Sequence, residues 1–392
     1  MIAEVLELPQ VGRHDDFFAL GGDSIRSLQV ISRARKLGVV LRPRDLFEAR
    51  SVAELAKVAG TLQPQASELV RLPRDTDLFP LSYAQERMWF LAQLEPESSA
   101  YNIASALRLH GELDFAALQR ALDALVARHE VLRTGFEMHD GVPLQRVHAP
   151  RAVNIARVDA RSELPQQAED KARALTEEQA HQPFDLTCAP LMRVAVTQLP
   201  GAQQVLSVVV HHIVSDGWSM DVAISELFAL YAAAMSGADL DAALPALPAQ
   251  YVDYAAWQKR WLEGPERARQ LAYWTAELGD EHPVLSLPVD HPRRGAEAFG
   301  AVLERELDSE LGTALQALAQ AQGVSMFMLL LAAWQTLLSR LSGQRDIRVG
   351  VPVTNRSRIE TEQLIGLFVN TQVLRSQVSG DQRFSALLQA VK

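Results

Sequence analysis

The sequence is poor in cysteine, in basic charge and in long apolar runs. It contains one cysteine, Cys188, among 392 residues, which excludes a disulfide framework or a multi-cysteine metal site and is typical of a reducing cytoplasm. The formal net charge of −10 argues against nucleic-acid binding, which normally needs a basic face. The most apolar helix-like stretch, residues 326–341, is shorter than a membrane span, and no export signal is visible. We therefore expect a cytoplasmic protein that binds neither nucleic acid nor membrane.

The first 60 residues have the pattern of a small helical domain. Apolar residues recur at three-residue spacing, which predicts one helix face up to Gly38. Ser51 and Glu54 form a capping-box pattern at the start of a last helix. Ser24 then lies at a helix start, where a serine commonly caps the helix and where free N–H groups also stabilise a phosphate. The spaced apolar positions are Ile25, Leu28, Ile31, Ala34 and Leu37.

The same region contains the run Phe17-Phe18-Ala19-Leu20-Gly21-Gly22-Asp23-Ser24. This run resembles the signature of peptidyl carrier domains almost residue for residue. The resemblance implies a small all-α four-helix bundle in which Ser24 covalently carries 4′-phosphopantetheine. It also implies a phosphopantetheinyl transferase as a partner.

The rest of the chain has a different pattern. Residues 61–77 lack apolar periodicity and include Gln63-Pro64-Gln65, which predicts an extended surface linker. From residue 78 onward, strand-like alternation is interspersed with helix-like stretches, which predicts an α/β domain with a mixed sheet flanked by helices. A stretch rich in proline and charge, residues 279–300, predicts a crossover between two lobes.

The strongest candidate site follows a predicted buried strand. Residues 205–220 form an apolar, β-branched run that ends in an Asp-Gly turn. His211 and His212 fall at the end of this strand, and strand alternation directs them to opposite faces. A histidine pair on an apolar strand most often consists of two core imidazoles. Because they face opposite ways, the two cannot ligate one metal; one is expected to serve a site and the other to pack.

The pattern His211-His212-x-x-x-Asp216-Gly217, followed by Trp218-Ser219, resembles the active-site motif of condensation domains of non-ribosomal peptide synthetases. These belong to the chloramphenicol acetyltransferase-like group, so the resemblance implies a two-lobed domain. The expected boundaries are residues 1–60 for the carrier, 61–77 for the linker, 78–280 for the N-terminal lobe and 281–392 for a C-terminal lobe that is incomplete. Other stretches that resemble family motifs are residues 80–90, 101–103, 128–136, 251–257 and 365–371.

The resemblance implies amide formation by aminolysis of a thioester. A donor aminoacyl or peptidyl group on the Ser24 arm, supplied by an upstream adenylation domain, would pass to an aminoacyl amine on a downstream acceptor carrier. His212 is expected to act either as a general base or chiefly as a hydrogen-bonding positioner, and the Gly217 N–H to donate to the oxyanion. His211, Asp216 and Arg133 are expected to be structural.

Two buried partnerships are also expected. Arg133 lies in an apolar, strand-like context where an arginine needs a carboxylate, and Asp216 is its predicted partner. Asn370 is a polar residue within an apolar run, which predicts that its side chain is buried and forms hydrogen bonds.

Three other functions share parts of this pattern. An epimerisation domain, or one with dual epimerisation and condensation activity, has the same histidine core, but Trp218-Ser219-Met220 favours condensation. A free-standing acyltransferase that uses a coenzyme A thioester would not need the linked residues 1–60. A catalytically silent condensation-like domain that recruits partner proteins would not need His212 and Asp216, which are both present.

Overall fold

The computed structural model describes residues 1–6, 8–22, 24–41, 45–46, 49, 51–61, 69–291, 303–356 and 358–392. Asp23, the linker residues Gln63-Pro64-Gln65 and residues 292–300 of the predicted crossover therefore lie outside the described residues. Contacts divide the chain into one unit of residues 63–266 with 354–370, and another of residues 1–62, 267–353 and 371–392. This division falls at residue 266 rather than 280 and separates residues 354–370 from the rest of the expected C-terminal lobe.

The described part of residues 1–61 is mainly helical. Ser51 caps its last helix in a capping box with Glu54, as predicted. The predicted apolar face of the middle helix is wrong in part, because Leu37 is 70% exposed whereas Val30 is buried with Ala34. The helices are Ile2–Val5, Ser24–Lys36 and Val52–Val58, and strands β1 (Val39–Val40) and β2 (Gly60–Thr61) pair antiparallel.

Residues 69–266, all of which are described, contain two sheets, one of them mixed. The strands are β3 (Leu78–Pro80), β4 (Asn102–His110), β5 (Thr134–His139), β6 (Val142–Val147), β7 (Ile155–Asp159), β8 (Met192–Leu199) and β9 (Gln203–His211). The larger sheet has the order β4-β9-β8-β7, with β8 and β7 parallel and the other neighbours antiparallel. The smaller, antiparallel sheet has the order β3-β6-β5. The helices are Tyr83–Leu94, Phe115–Arg128, Pro165–His181, Gly217–Ser236 and Tyr251–Leu262, with a 3₁₀ segment at Glu130–Arg133.

Strand β9 is central because it is apolar on both faces. Its residues are buried from Gln204 to His211, as expected for a β-branched run between two neighbouring strands. The register with β4 pairs His211 with Asn102, so the first residues of β4 lie beside the end of β9. This pairing brings two stretches predicted as motifs to the same edge of the sheet.

The described parts of residues 267–353 and 371–392 contain a separate hydrophobic cluster. Its helix Met326–Ser342 is capped by Ser325 and packs with strand β10 (Asp346–Val353), which forms a two-stranded sheet with β11 (Asn370–Gln377). The other helices are Pro265–Leu278, Ser309–Gln322 and Phe384–Val391. Among the described residues no single helix could span a membrane; Ser309–Gln322 and Met326–Ser342 meet the length and composition criteria only as a pair bent by 101°.

Candidate active site

The two histidines lie on different local structures. Strand β9 ends at His211, and His212 begins a 3₁₀ turn, His212–Val214. The prediction that both belong to the strand is therefore wrong by one residue. The turn forms there because the Ile213 N–H donates to His211 Nδ1 at 3.1 Å and the Ser215 N–H donates to the His212 carbonyl. His212 still remains attached to the residue that precedes β4, since its N–H donates to Tyr101 O at 2.8 Å.

His211 is a buried neutral imidazole. It is 5% exposed, and Phe184 packs edge-on against it at a ring distance of 6.1 Å. Burial, with a smaller contribution from the neighbouring His212, lowers the pKa of His211 to about 4. Because a backbone N–H only donates, His211 Nδ1 is unprotonated and the ring proton is on Nε2.

His212 has the opposite tautomer. Its side chain is half-buried, and Nδ1 lies 2.7 Å from Ser215 O. A carbonyl oxygen only accepts, so Nδ1 carries the proton and a neutral ring keeps the lone pair on Nε2. This is the arrangement that a general base or a hydrogen-bond acceptor requires.

Asp216 closes the turn from behind. It is 3% exposed and caps the helix Gly217–Ser236, accepting from Ser219 N at 2.8 Å and from Ser219 Oγ at 2.7 Å. Its second oxygen accepts the N–H groups of Phe368 and Val369 at 2.9 and 3.2 Å. All of these contacts brace the turn; the structural role of Asp216 stays a prediction.

The predicted partner of Asp216 is wrong. Its ion-pair partner is Arg356, at 3.2 Å, whereas Arg133 donates to the His148 carbonyl and lies 3.9 Å from Glu130. Arg133 ends a 3₁₀ segment before β5, and the carbonyl that it contacts belongs to His148, the residue after β6. Burial lowers the pKa of Arg133 even though Glu130 favours its charge.

Arg356 is the main residue that sequence reasoning missed. It is buried and donates to Leu364 O at 2.8 Å, to Ser219 Oγ at 2.7 Å and to the Thr361 carbonyl. Its guanidinium also lies 3.9 Å from the centre of the Phe368 ring. The available signal was the polar run Thr354-Asn355-Arg356 at the end of a strand, but its position in the sequence does not identify a partner.

Tyr251 connects this bracing network to the first motif. Its hydroxyl donates to Leu367 O at 2.5 Å and lies 2.8 Å from the Oγ of Ser82, the residue that caps the helix Tyr83–Leu94. Gly366 packs against the same ring so closely that a Cβ there would overlap Tyr251. The motif stretches near residues 82, 216, 251 and 366 therefore meet in one buried network.

The remaining predicted residues differ in environment. Gly217 is exposed at the first position of its helix, where helix geometry leaves the N–H without an intrahelical partner, and the space around its Cα is open.

Asn370 is exposed at the start of β11, so the prediction that it is buried is wrong. The alternation argument failed because the strand begins at this residue.

Ser24 is the first residue of the helix Ser24–Lys36, and its side chain lies outside the described part of the structure. The turn before it requires glycine: Gly21 has a φ of +94°, and a Cβ on Gly22 would overlap the Phe17 ring. Because a helix N-terminus offers free N–H groups, this backbone fits a phosphodiester on the serine.

Two family models match the chain. Residues 75–392 match the condensation domain model, and residues 1–59 match the model described as a phosphopantetheine attachment site. The second match identifies the N-terminal segment as one for covalent attachment of 4′-phosphopantetheine.

Curated relatives are much longer than this chain. One of the linear gramicidin synthase proteins of Brevibacillus parabrevis is 44% identical over all of the chain, which spans 5% of that protein. Tyrocidine synthase 3 of the same organism is 38% identical over 99% of the chain, which spans 6% of it.

Solved structures share the fold. The first condensation domain of the calcium-dependent antibiotic synthetase is 27% identical, with a TM-score of 0.68 over 81% of this chain and 73% of that one. The X-domain from teicoplanin biosynthesis is 31% identical, with a TM-score of 0.71 over 83% of this chain and 71% of that one. With the family model matching most of its length, this chain belongs to the condensation domain family.

Proposed function

We propose that the chain is a carrier–condensation segment of a non-ribosomal peptide synthetase. The carrier holds a donor aminoacyl or peptidyl thioester on Ser24, and the condensation domain joins it to an aminoacyl amine on a downstream carrier. The order of the two family matches on one chain supports this proposal. So does the similarity, along nearly the whole chain, to proteins named as peptide synthases.

The observation that carries the proposal is the hydrogen bond between His212 Nδ1 and Ser215 O. It leaves the Nε2 lone pair for the attacking amine. In the reaction the amine nitrogen bonds to the thioester carbon, the C–S bond breaks, and the amine proton passes through Nε2 to the departing sulfur. The arm on Ser24 supplies the thiol that activates the donor as a thioester. General-base catalysis of this kind usually contributes about 10²–10⁴-fold.

The other site residues support this step without exchanging a proton. The N–H of Gly217, at the first position of its helix, donates to the carbonyl oxygen where negative charge develops. Asp216 holds the turn that presents His212, and His211 fills the interior behind it. Arg133 is structural through the His148 carbonyl rather than through Asp216.

The proposal extends to domains, partners and compartment. Residues 1–60 form a four-helix carrier, 61–77 a linker, 78–280 the N-terminal lobe and 281–392 part of the C-terminal lobe; the incompleteness of that lobe stays a prediction. The partners are an upstream adenylation domain, a downstream acceptor carrier and a phosphopantetheinyl transferase. The single cysteine is consistent with a cytoplasmic location.

Intact-protein mass spectrometry tests the function. After treatment with a phosphopantetheinyl transferase and coenzyme A, the wild-type chain should gain one prosthetic-group mass, and Ser24→Ala should gain none. With a loaded donor and an aminoacylated acceptor carrier, the acceptor should gain the mass of the donor acyl group. Modification of the Ser24→Ala protein, or an acceptor that never gains mass, would contradict the proposal.

A second candidate function is recruitment of another protein. It is favoured by the 31% identity to the teicoplanin X-domain, which has also been solved in a complex with OxyB. A recruiting domain would bind its partner equally well as wild type and as the His212→Ala variant, and would transfer nothing. An epimerising or dual activity remains the third candidate, and it would change the configuration of the donor recovered after hydrolysis from Ser24.

A further inference from the structure

The chain that follows the carrier is bound to the condensation domain well before strand β3 begins. Leu69 is buried in the main hydrophobic core of residues 63–266. The Leu72 N–H donates to Asp253 Oδ1 at 2.8 Å, and the Asp77 carbonyl accepts the Val147 N–H at 2.8 Å. Residues 69–77, expected to be part of an extended surface linker, are therefore attached to the domain along their length.

Arg74 is the centre of this attachment. Its guanidinium pairs with both oxygens of Asp253, at 2.9 and 3.0 Å, and with Glu130 at 3.0–3.2 Å. It also donates to Leu72 O at 2.7 Å, which fixes the segment's own backbone. Burial opposes the charge, but the hydrogen bonds that Arg74 donates to Asp253 and Glu130 outweigh it and raise the pKa of Arg74. We call Arg74, Asp253 and Glu130 the Arg74 clasp.

The clasp joins the connecting segment to regular elements of the domain. Asp253 is 0% exposed and belongs to the first turn of the helix Tyr251–Leu262, where it also accepts from Gln250 N. Glu130 is 6% exposed in the 3₁₀ segment before β5. Arg74 restrains the connecting segment strongly, because its release would deprive two buried carboxylates of their shared arginine.

We infer that the Arg74 clasp sets the length of the tether between the carrier and the condensation domain, and so the effective concentration of the Ser24 arm at His212. With the clasp closed, Thr61 and Leu69 are separated by residues 62–68, which covalent geometry limits to a reach of about 29 Å. With the clasp open and the other contacts of residues 69–77 lost with it, the free connection extends to Leu78, and the limit becomes about 60 Å. The catalytic consequence rests on the proposed function; the tether length does not.

The expected size of the effect follows from chain statistics. Effective concentration falls roughly as the −3/2 power of tether length once the tether can span its sites. An approximate doubling of the tether therefore predicts about a threefold loss of transfer from the chain's own arm. Transfer from an arm on another molecule should not change, because no tether limits it.

Distance measurements test the tether without any activity. Dyes on Cys188, the single cysteine, and on a Ser24→Cys substitution report the distance between condensation domain and carrier by energy transfer in the full chain. Arg74→Gln should lengthen and broaden the distance distribution. Arg71→Ala, at an exposed arginine three residues earlier, is the matched control and should leave the distribution unchanged.

A second variant protects the test against misfolding. Arg74→Met combined with Glu130→Gln and Asp253→Asn removes the clasp without leaving a buried carboxylate unpaired. It should give the same longer and broader distribution as Arg74→Gln. A folded triple variant with the wild-type distribution would overturn the inference.

Transfer assays then test the catalytic consequence. In the single chain, opening the clasp should lower transfer about threefold. In a mixture of a Ser24→Ala chain with a His212→Ala chain, clasp variants on the Ser24→Ala chain should leave transfer between molecules unchanged. Equal losses in both assays would overturn the inference, because the clasp would then maintain the site rather than the tether. If wild-type protein transfers nothing in either assay, the proposed function fails, and the distance measurement alone decides the tether length.

Discussion

Strand β9 and the turn after it place two consecutive histidines in opposite hydrogen-bonding environments. At the strand end, His211 Nδ1 accepts a backbone N–H; in the turn, His212 Nδ1 donates to a backbone carbonyl. A histidine side chain is therefore an inert core group at the strand end, as His211, and presents a lone pair in the turn, as His212. For each histidine, the hydrogen bond between Nδ1 and the backbone decides which ring nitrogen carries the proton. This bond, rather than residue type or motif membership, therefore determines the chemistry of each ring.

The largest expected effect is on acyl transfer and follows from substitution of His212, the histidine in the turn. His212→Asn keeps an amide that can donate to Ser215 O but lacks Nε2, so transfer should fall about 10²–10⁴-fold with little change in the free energy of unfolding. Single-turnover transfer and denaturant unfolding measure the two quantities. His211→Asn is the matched control and should lose stability rather than turnover. Equal losses of both kinds in the two variants would remove the distinction between strand end and turn.

The next effect concerns the brace that holds the turn. Asp216→Ala and Arg356→Ala each leave a buried charge unpaired, so each should cost about 3–5 kcal/mol of unfolding free energy. In a double-mutant cycle the two losses should be strongly non-additive. Arg133→Ala provides the comparison, because its loss should add to that of Asp216→Ala. A cycle that instead couples Asp216 to Arg133 would contradict the observed pairing.

The smallest expected effect concerns His211, at the end of strand β9, and the dependence of stability on pH. The pKa of His211 is about 4 when folded and near about 6.5 when unfolded, so the unfolded chain binds more protons between these values. The stability is complete above about pH 6.5 and falls as the pH drops towards 4, by about 3 kcal/mol in total. His211→Asn should flatten this part of the curve relative to wild type in urea unfolding at several pH values. Identical slopes for the two proteins would mean that His211 is not buried neutral.

Local signals in the sequence predicted local structure well. Ser51 caps the helix that its capping-box pattern with Glu54 predicts, and strand β9 ends within one residue of its predicted position. These predictions worked because a cap or an apolar run is determined by residues a few positions apart.

Long-range partners could not be predicted in the same way. Asp216 and Arg356 are 140 positions apart, and Glu226 pairs with the buried His129, 97 positions away, without any spacing that would join them. An arginine in an apolar context needs a partner, but the context of Arg133 did not reveal that a backbone carbonyl provides it. Pairing of this kind depends on the folded topology, which the motifs identify only by resemblance.

The segment 354–370 has a practical consequence for recombination between synthetases. It follows strand β10 in sequence, yet its Arg356 pairs with Asp216 and its Gly366 packs against Tyr251, both of which precede residue 266. A chimera spliced once near residue 266 would combine a native Asp216 and Tyr251 with a foreign partner segment. Two further crossover points, one on each side of residues 354–370, would return this segment to the parent of residues 63–266 and so keep every member of the brace from a single parent.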